Sequence, residues 1–327
     1  MSERPTPRLL ANADFDVKAL LDEHEPIFMD RNKSVVHAIA SEVSHLVTGT
    51  LRFARWSSEE WRILVRVGAG PEVSSRPGVF EYGEPKGSDL TEWHVNFADP
   101  DLFRYYPTGL FAQDEIQVAE HPALGALRDR LVREGQEPLT EHLGVATPCT
   151  VMGVPRQCSV SLGAGPGRPL GLYGNAFSGA ARDAITDATS AVDPPTISNI
   201  VAIAAPSHGS GPYTFEDVEF ILGALTTGYS AAAAQSERSI VHTGFWGCGA
   251  FGGNRVLLPA LQIVAAAWSG VSGVVFYTFD AVGQLDFDDA FEVSRDLLSR
   301  FDHDQRIDDV IDAAVSLRLE WGTGDGN

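Results

Sequence analysis

His242-Thr243-Gly244-Phe245-Trp246-Gly247-Cys248-Gly249-Ala250-Phe251-Gly252-Gly253-Asn254 sets five glycines between a strand-like run at residues 239–243 and an apolar helical run at residues 256–268. A glycine-rich turn that enters a helix N-terminus can aim successive backbone N–H groups at one point, and so hold a phosphate without a lysine. Trp246 and Phe251 offer a flat apolar face beside such an anion site, as a nucleoside diphosphate requires. The run lacks the Lys-Ser/Thr of a P-loop, and its glycines do not form GxGxxG followed by an acidic residue. On the glycines alone, a tight packing turn is the competing explanation.

Outward from this loop, further strands are expected at residues 78–82, 92–97, 158–162, 170–176, 200–204 and 274–279, with helical segments between several of them. That alternation predicts an α/β fold. Residues 17–65 carry Val35, Val36, Ile39, Val43, Leu46 and Val47 at helical spacing, broken at Thr48-Gly49-Thr50, and read as a helical N-terminal extension. Turns are expected at residues 68–71, 163–169 and 193–195, a helix start near Thr214, and a frayed tail from Trp321. The expected organisation is an extension over 1–75, a core over 76–300, and a C-terminal helix and tail over 301–327.

The 327 residues are 44% hydrophobic and 21% charged, the composition of a chain able to bury a full core rather than of a disordered or fibrous one. With 44 acidic against 24 basic residues the net charge is -20, which opposes broad docking on nucleic acid or anionic lipid. An anionic ligand must therefore be caught locally. Lysine is confined to Lys18, Lys33 and Lys86, a bias attributed to genome composition. Cys149, Cys158 and Cys248 show neither CxxC spacing nor an even count, which suits a reducing cytoplasm. The start Met-Ser-Glu-Arg-Pro-Thr-Pro has no apolar signal core, and the longest apolar run, 261–268, is far below the roughly 20 residues of a membrane span.

Asn96-Phe97-Ala98-Asp99 ends an expected strand, and Gln113-Asp114-Glu115 opens a helix after a long loop. Adjacent helical residues lie about 100° apart around the axis, so Asp114 and Glu115 cannot serve as equivalent partners across one bond. A ribosidic bond breaks through an oxocarbenium-like state, in which one carboxyl group protonates the leaving oxygen and then activates water. Glu115 is the candidate for that role, Asp114 for holding ribose hydroxyls, and Gln113 for steadying the loop or holding the distal ribose. The helix N-terminus would lower the pKa of Glu115, and a neighbouring diphosphate would raise it. Acidic helix-capping is the plainer alternative. His37 and His45 lack a third metal ligand, residues 207–211 lack a GxSxG elbow, and Cys248 has no fixed histidine partner.

These motifs, with Ile200-Val201-Ala202-Ile203-Ala204 and residues 274–280, resemble the poly(ADP-ribose) glycohydrolase family of macrodomains, as a bacterial-type member with a divergent catalytic loop. The resemblance covers most of residues 76–285. It implies a three-layer α/β/α sandwich with a mixed sheet, binding ADP-ribose at the strand ends with no cofactor or metal. By position it makes Glu115 the acid/base residue with Asp114 beside it, and Trp246, Gly247, Cys248, Gly249, Ala250 and Phe251 the diphosphate loop. Phe279 then lies near adenosine, Glu81 matches the adenine-recognising acid, and Asp99 stands where the family has a ribose-contacting asparagine. Departures are Phe103-Arg104-Tyr105-Tyr106-Pro107 in place of a triple-glycine run, Asp114 for a glutamate, Phe245 for an asparagine, and a missing tyrosine near Gly174-Asn175-Ala176. The implied activity is release of ADP-ribose from a protein, from poly(ADP-ribose) or from a DNA base, by a monomer. A non-catalytic ADP-ribose reader is the alternative. Bulk at 103–107 is expected to close the cleft, or to place Arg104, Tyr105 and Tyr106 against the acceptor.

Overall fold

The computed structural model describes residues 6–66, 70–83, 89–206, 209–300 and 306–324. In chain order the elements are β1 (Arg8–Asp16), α1 (Val17–Glu23), α2 (Arg31–Ser41), β2 (Thr50–Ser57), β3 (Glu72–Arg76), β4 (Leu90–Ala98), α3 (Gln113–Glu120) and α4 (Pro122–Arg133). A small hairpin of β5 (Glu141–His142) and β6 (Val145–Ala146) precedes β7 (Cys149–Val160), α5 (Ala176–Gly179), α6 (Arg182–Ala188) and β8 (Thr189–Ala204). The chain continues through α7 (Phe215–Ala234), β9 (Arg238–Thr243), α8 (Leu257–Ser269), β10 (Gly273–Tyr277), α9 (Ala281–Ser299) and α10 (Ile307–Ser316).

The sheet runs β1-β2-β7-β8-β4-β9-β10-β3. The five strands from β8 to β3 pair in parallel, while β1, β2 and β7 join them antiparallel, so the sheet is mixed as expected. Its pleat sorts the two cores. Trp93 and Val95 of β4, with Val201 and Ile203 of β8, pack toward α7, α8 and α10. Ala98, Ile200 and Ala202 turn to the opposite face, toward α1 and α4. A third cluster joins α2, α3 and α6 through Val36, Ala119 and Ile185. Burial on both faces explains the near-continuous apolar runs at the end of β8 (residues 200–204) and in β10.

Several local expectations change. The first 75 residues contain α1 and α2 but also three strands: β1 and β2 extend one end of the sheet, and β3 closes the other beside β10. Thr50–Ser57 is a strand rather than helix because its alternate residues Leu51 and Phe53 pack into the sheet core. Residues 78–82 make only the Gly78–Phe279 bridge, and 170–176 form turns and the start of α5. Residues 193–195 lie inside β8, where Asp193-Pro194 is cis. The expected turn at 68–69 and the Ser207-His208 pair lie outside the described residues. His37 and His45 do not converge: His37 Nε2 faces Glu25 at 3.5 Å, and His45 Nδ1 meets the Glu42 carbonyl. Among the described residues no helix is long and apolar enough to cross a membrane.

The tail is the largest correction. Trp321 stacks on Tyr213 with ring centroids 4.4 Å apart, its N–H donates to the Gly211 carbonyl at 2.9 Å, and the Gly322 N–H donates to the Gly252 carbonyl at 2.8 Å. Composition suggested fraying, but one aromatic anchor and a short backbone ladder hold the segment. Trp321→Ala is expected to destabilise the protein by about 2 kcal/mol, below the roughly 3–5 kcal/mol for a fully buried aromatic because this ring is only half-buried. Urea denaturation measures the loss, and hydrogen exchange should show residues 319–324 losing protection.

Candidate functional site

At the heart of the site β4 outruns its neighbour. Its pairing with β9 ends at His94–His242, where β9 gives way to the glycine loop, while its pairing with β8 continues to Ala98. The exposed edge of β4 is completed by one side chain. Gln113 Oε1 accepts from the Phe97 N–H at 2.7 Å and its Nε2 donates to the Val95 carbonyl at 3.0 Å, which pins the first residue of α3 to the strand. Each end of this amide has a backbone partner, which suits Gln113 to steadying the loop.

Asp114 and Glu115 are both buried, and their partners differ. Asp114 Oδ1 accepts from Asn96 Nδ2 at 2.9 Å, while Glu115 Oε2 accepts from the Ala112 N–H at 3.0 Å, closing the first turn of α3. Burial pushes the pKa of Asp114 well above the carboxylate range, the charge of Glu115 adding to it and the Asn96 amide opposing it. Glu115 is also raised, mainly by burial, against the pull of Lys33 and of two backbone N–H groups. The helix N-terminus therefore does not hold Glu115 low, and no diphosphate is needed to raise it. Asp99, half-buried just past β4, accepts from the Asp101 N–H at 3.0 Å, and burial raises its pKa as well.

Residues missed from sequence complete this centre. Asn96, fully buried on the α3 face of β4, orients Asp114. Lys33 on α2 is fully buried, donates from Nζ to the Tyr106 carbonyl at 2.9 Å and lies 5.8 Å from the centre of the Phe111 ring. Its signal was a lysine three residues before Val36 on the apolar stripe of an amphipathic helix. The loop before α3 is not a cleft-closing mass. Phe103 and Tyr106 are buried, and Tyr106 hydrogen-bonds Asp129 at 2.6 Å, which removes Tyr106 from contact with an acceptor. Tyr105 is exposed, with the Arg104 guanidinium 5.5 Å from its ring centre.

The glycine loop starts against the same strand: a Cβ on Gly244 would meet the Phe97 ring at 3.6 Å and the Tyr277 carbonyl at 3.1 Å. Gly247 has φ of +74°, and a side chain there would press on Ala205, so the turn requires glycine. Trp246 is not a ligand platform. It is fully buried and its Nε1 donates to the Ile203 carbonyl at 2.8 Å, fixing the loop to the end of β8. Cys248 packs within the loop near the Trp246 and Asn254 carbonyls, with its thiol pKa pushed up by burial. Gly249, Ala250 and Phe251 continue the turn, and Asn254 Oδ1 accepts from the N–H groups of Val256 and Leu257 at the start of α8. Phe245 packs edge-on against Phe276 with Arg255 over its ring, which accounts for an aromatic at that position.

At the rim, Phe279 follows β10 with φ of 69° and an exposed ring 6.4 Å from that of Tyr173. Tyr173, one residue before Gly174-Asn175, is thus a further aromatic at the site that sequence reading passed over. Glu81 is exposed and faces Arg76 at 3.4 Å, next to Phe80, which packs on Tyr277 and Phe97. Because the folded-state pKa of Asp114 lies above its unfolded value near 4, its stabilisation is complete at low pH and is lost as pH rises through the folded value. Asp114→Asn should therefore raise stability at pH 8, with the advantage shrinking as pH falls toward about 4. Urea titrations at both pH values measure this, and equal midpoint differences would refute the assigned burial cost.

Residues 173–285 match the family model described as poly(ADP-ribose) glycohydrolase (PARG), Macro domain fold. Among solved structures the chain is similar to poly(ADP-ribose) glycohydrolase from Thermomonospora curvata, at 16% identity over 84% of this chain and 99% of that chain, with a TM-score of 0.49. It is also similar to the Deinococcus radiodurans glycohydrolase in complex with ADP-ribose, at 13% identity over 85% and 98% of the two chains, with a TM-score of 0.41. No curated protein matches the chain. The matched segment spans Tyr173, β8, the glycine loop, β10 and Phe279, and leaves Asp99 and Gln113-Asp114-Glu115 on the chain before it. It is through residues 173–285 that the chain is similar to the macro domain fold of poly(ADP-ribose) glycohydrolase.

Proposed function

We propose that the protein is an ADP-ribosyl glycohydrolase in which Glu115 is the acid/base residue. The observation that carries this reading is a buried glutamate with a raised pKa, held at the first turn of α3, on the same strand end that abuts the glycine loop. A raised carboxyl pKa favours the protonated form, and a proton is what a departing glycosidic oxygen needs.

In the proposed reaction the ADP-ribose diphosphate lies on the turn from Gly247 to Phe251, with the dipole of α8 behind it and the first N–H groups of that helix held by Asn254. The adenosine end reaches the rim formed by Phe279, Tyr173 and Glu81. The distal ribose then meets Asp114 and Glu115, with Asp99 beside them. Glu115 gives its proton to the oxygen that leaves the ribose anomeric carbon, and the carbon–oxygen bond breaks through an oxocarbenium-like state. The resulting carboxylate takes a proton from water as the water oxygen bonds to that carbon, which restores the acid and frees ADP-ribose. Asp114, oriented by Asn96, holds the ribose hydroxyls beside the bond that breaks.

The substrate class is an ADP-ribosylated macromolecule, and the net charge of -20 favours a protein acceptor over a DNA base. The three free cysteines suit a reducing compartment. The test is release of free ADP-ribose from a poly-modified protein, a mono-modified carboxylate protein and an ADP-ribosylated DNA base. Glu115→Gln is expected to lower release about 10²–10⁴-fold, the usual worth of a general acid, while calorimetry shows ADP-ribose affinity within about tenfold of the parent. Binding without release by the parent on all three substrates would establish a reader instead.

A further inference from the structure

Lys33 is the one lysine or arginine among the described residues whose whole side chain lies inside the protein. Three ties make its position exact in the fold. Asp30 Oδ1 accepts from the Lys33 N–H at 3.1 Å and so caps α2, the Pro107 carbonyl accepts from the N–H groups of Met29 and Asp30, and Lys33 Nζ reaches the Tyr106 carbonyl. Ser178 of α5 adds a fourth tie, donating to the Gly109 carbonyl at 2.8 Å. The loop that delivers Ala112, the backbone partner of Glu115, is thus strapped to the N-terminal end of α2.

Resting on the glycohydrolase reading, we propose that Lys33 is a positioning residue for the carboxylate pair: its buried ammonium holds the 103–112 loop through Tyr106 and sets the charge state of Asp114 and Glu115. The groups that act on Lys33 are Glu115, Asp114 and Asp30, and those that act on Glu115 include Lys33 and Asp99. Of the elements packed on α2, α6 carries Arg182, Asp183 and Asp187, and β7 carries Arg156, which pairs with Glu120 of α3 at 3.0 Å; the charges that act most on Lys33 remain Glu115, Asp114 and Asp30. With two carboxylates in one buried site, a neighbouring cation keeps one of them from holding its proton too tightly to release it. Burial brings the pKa of Lys33 itself down to about 8, so this control weakens in mildly alkaline solution.

The experiment pairs two readouts in the full chain: the pH profile of ADP-ribose release, and the carboxyl-carbon NMR titration of Asp114 and Glu115. Lys33→Gln, which keeps a hydrogen-bond donor without charge, and Lys33→Met should move the carboxylate titration and the matching limb of the profile up by about one pH unit. Lys33→Arg, charged throughout, should restore the parent limb. If the neutral variants fail to fold, the parent and Lys33→Arg still decide. The parent carboxyl resonances should inflect a second time near pH 8, where Lys33 loses its proton, and Lys33→Arg should lack that inflection. Unshifted titrations in the folded neutral variants, or an inflection that persists in Lys33→Arg, would overturn the proposal. A parent that releases no ADP-ribose would refute the glycohydrolase reading alone, since the NMR titration does not depend on turnover.

Discussion

A parallel strand that extends past its neighbour leaves peptide groups that must find partners, and the geometry of this site follows from how β4 meets that demand. The Val95 carbonyl and Phe97 N–H lie where β9 has already turned into the glycine loop. Leaving them bare in a semi-buried cleft would cost about 1–3 kcal/mol each. A carboxamide is the side chain that both accepts and donates in a peptide-like fork, so Gln113 takes the place of a missing strand. Once that residue is fixed, helical geometry places the next two: Asp114 turns to Asn96 on the strand, and Glu115 folds back on Ala112. The divergence of β4 and β9 therefore seats the helix and aims the carboxylates together.

Burying two carboxylates beside one another is unfavourable, and the fold limits the cost in three ways. Each acid has a hydrogen-bond donor of its own, the raised pKa values reduce the charge that must be buried, and one ammonium is enclosed with them. The result resembles neither a surface cap nor an inert ion pair. A helix cap would leave its acid solvated and low in pKa, and a simple ion pair would lower the acid further; here burial outweighs both influences on Glu115.

Much of this was legible in the amino-acid sequence, and the misses share a cause. The strands at 92–97, 200–204, 239–243 and 274–277 and the helix from 257 were legible because each carries a period of its own that burial reinforces. The run 50–57 was absorbed into a helix because its pairing partners, β1 and β7, lie far away in the chain and leave no local trace. The tail looked frayed by its glycine and aspartate content, whereas its order comes from Trp321 meeting Tyr213 more than a hundred residues earlier in the chain. Trp246 was read as a ligand face because sequence shows that an aromatic is present and not which way it turns. Lys33 was passed over for the converse reason: scarcity of lysine says nothing about where one stands, and only tertiary packing brings α2 beneath the start of α3.

The loop from Phe103 to Ala112 shows how a flexible glycine run can be replaced by residues that fix the backbone from within. Phe103 takes a left-handed φ of 57° with its ring buried, a conformation a bulky residue holds only when packing compensates the strain. Tyr106 anchors one end through Asp129, and Arg128 holds Asp101 at 2.5 Å at the other. The side chains that distinguish this loop by size are thus spent on its own interior, and its outward face reduces to Arg104 and Tyr105. That outward face is one guanidinium, which also faces Asp101 at 3.8 Å, and one exposed ring. The rigid backbone behind it keeps Ala112, and with it Glu115, in one place whichever acceptor is bound.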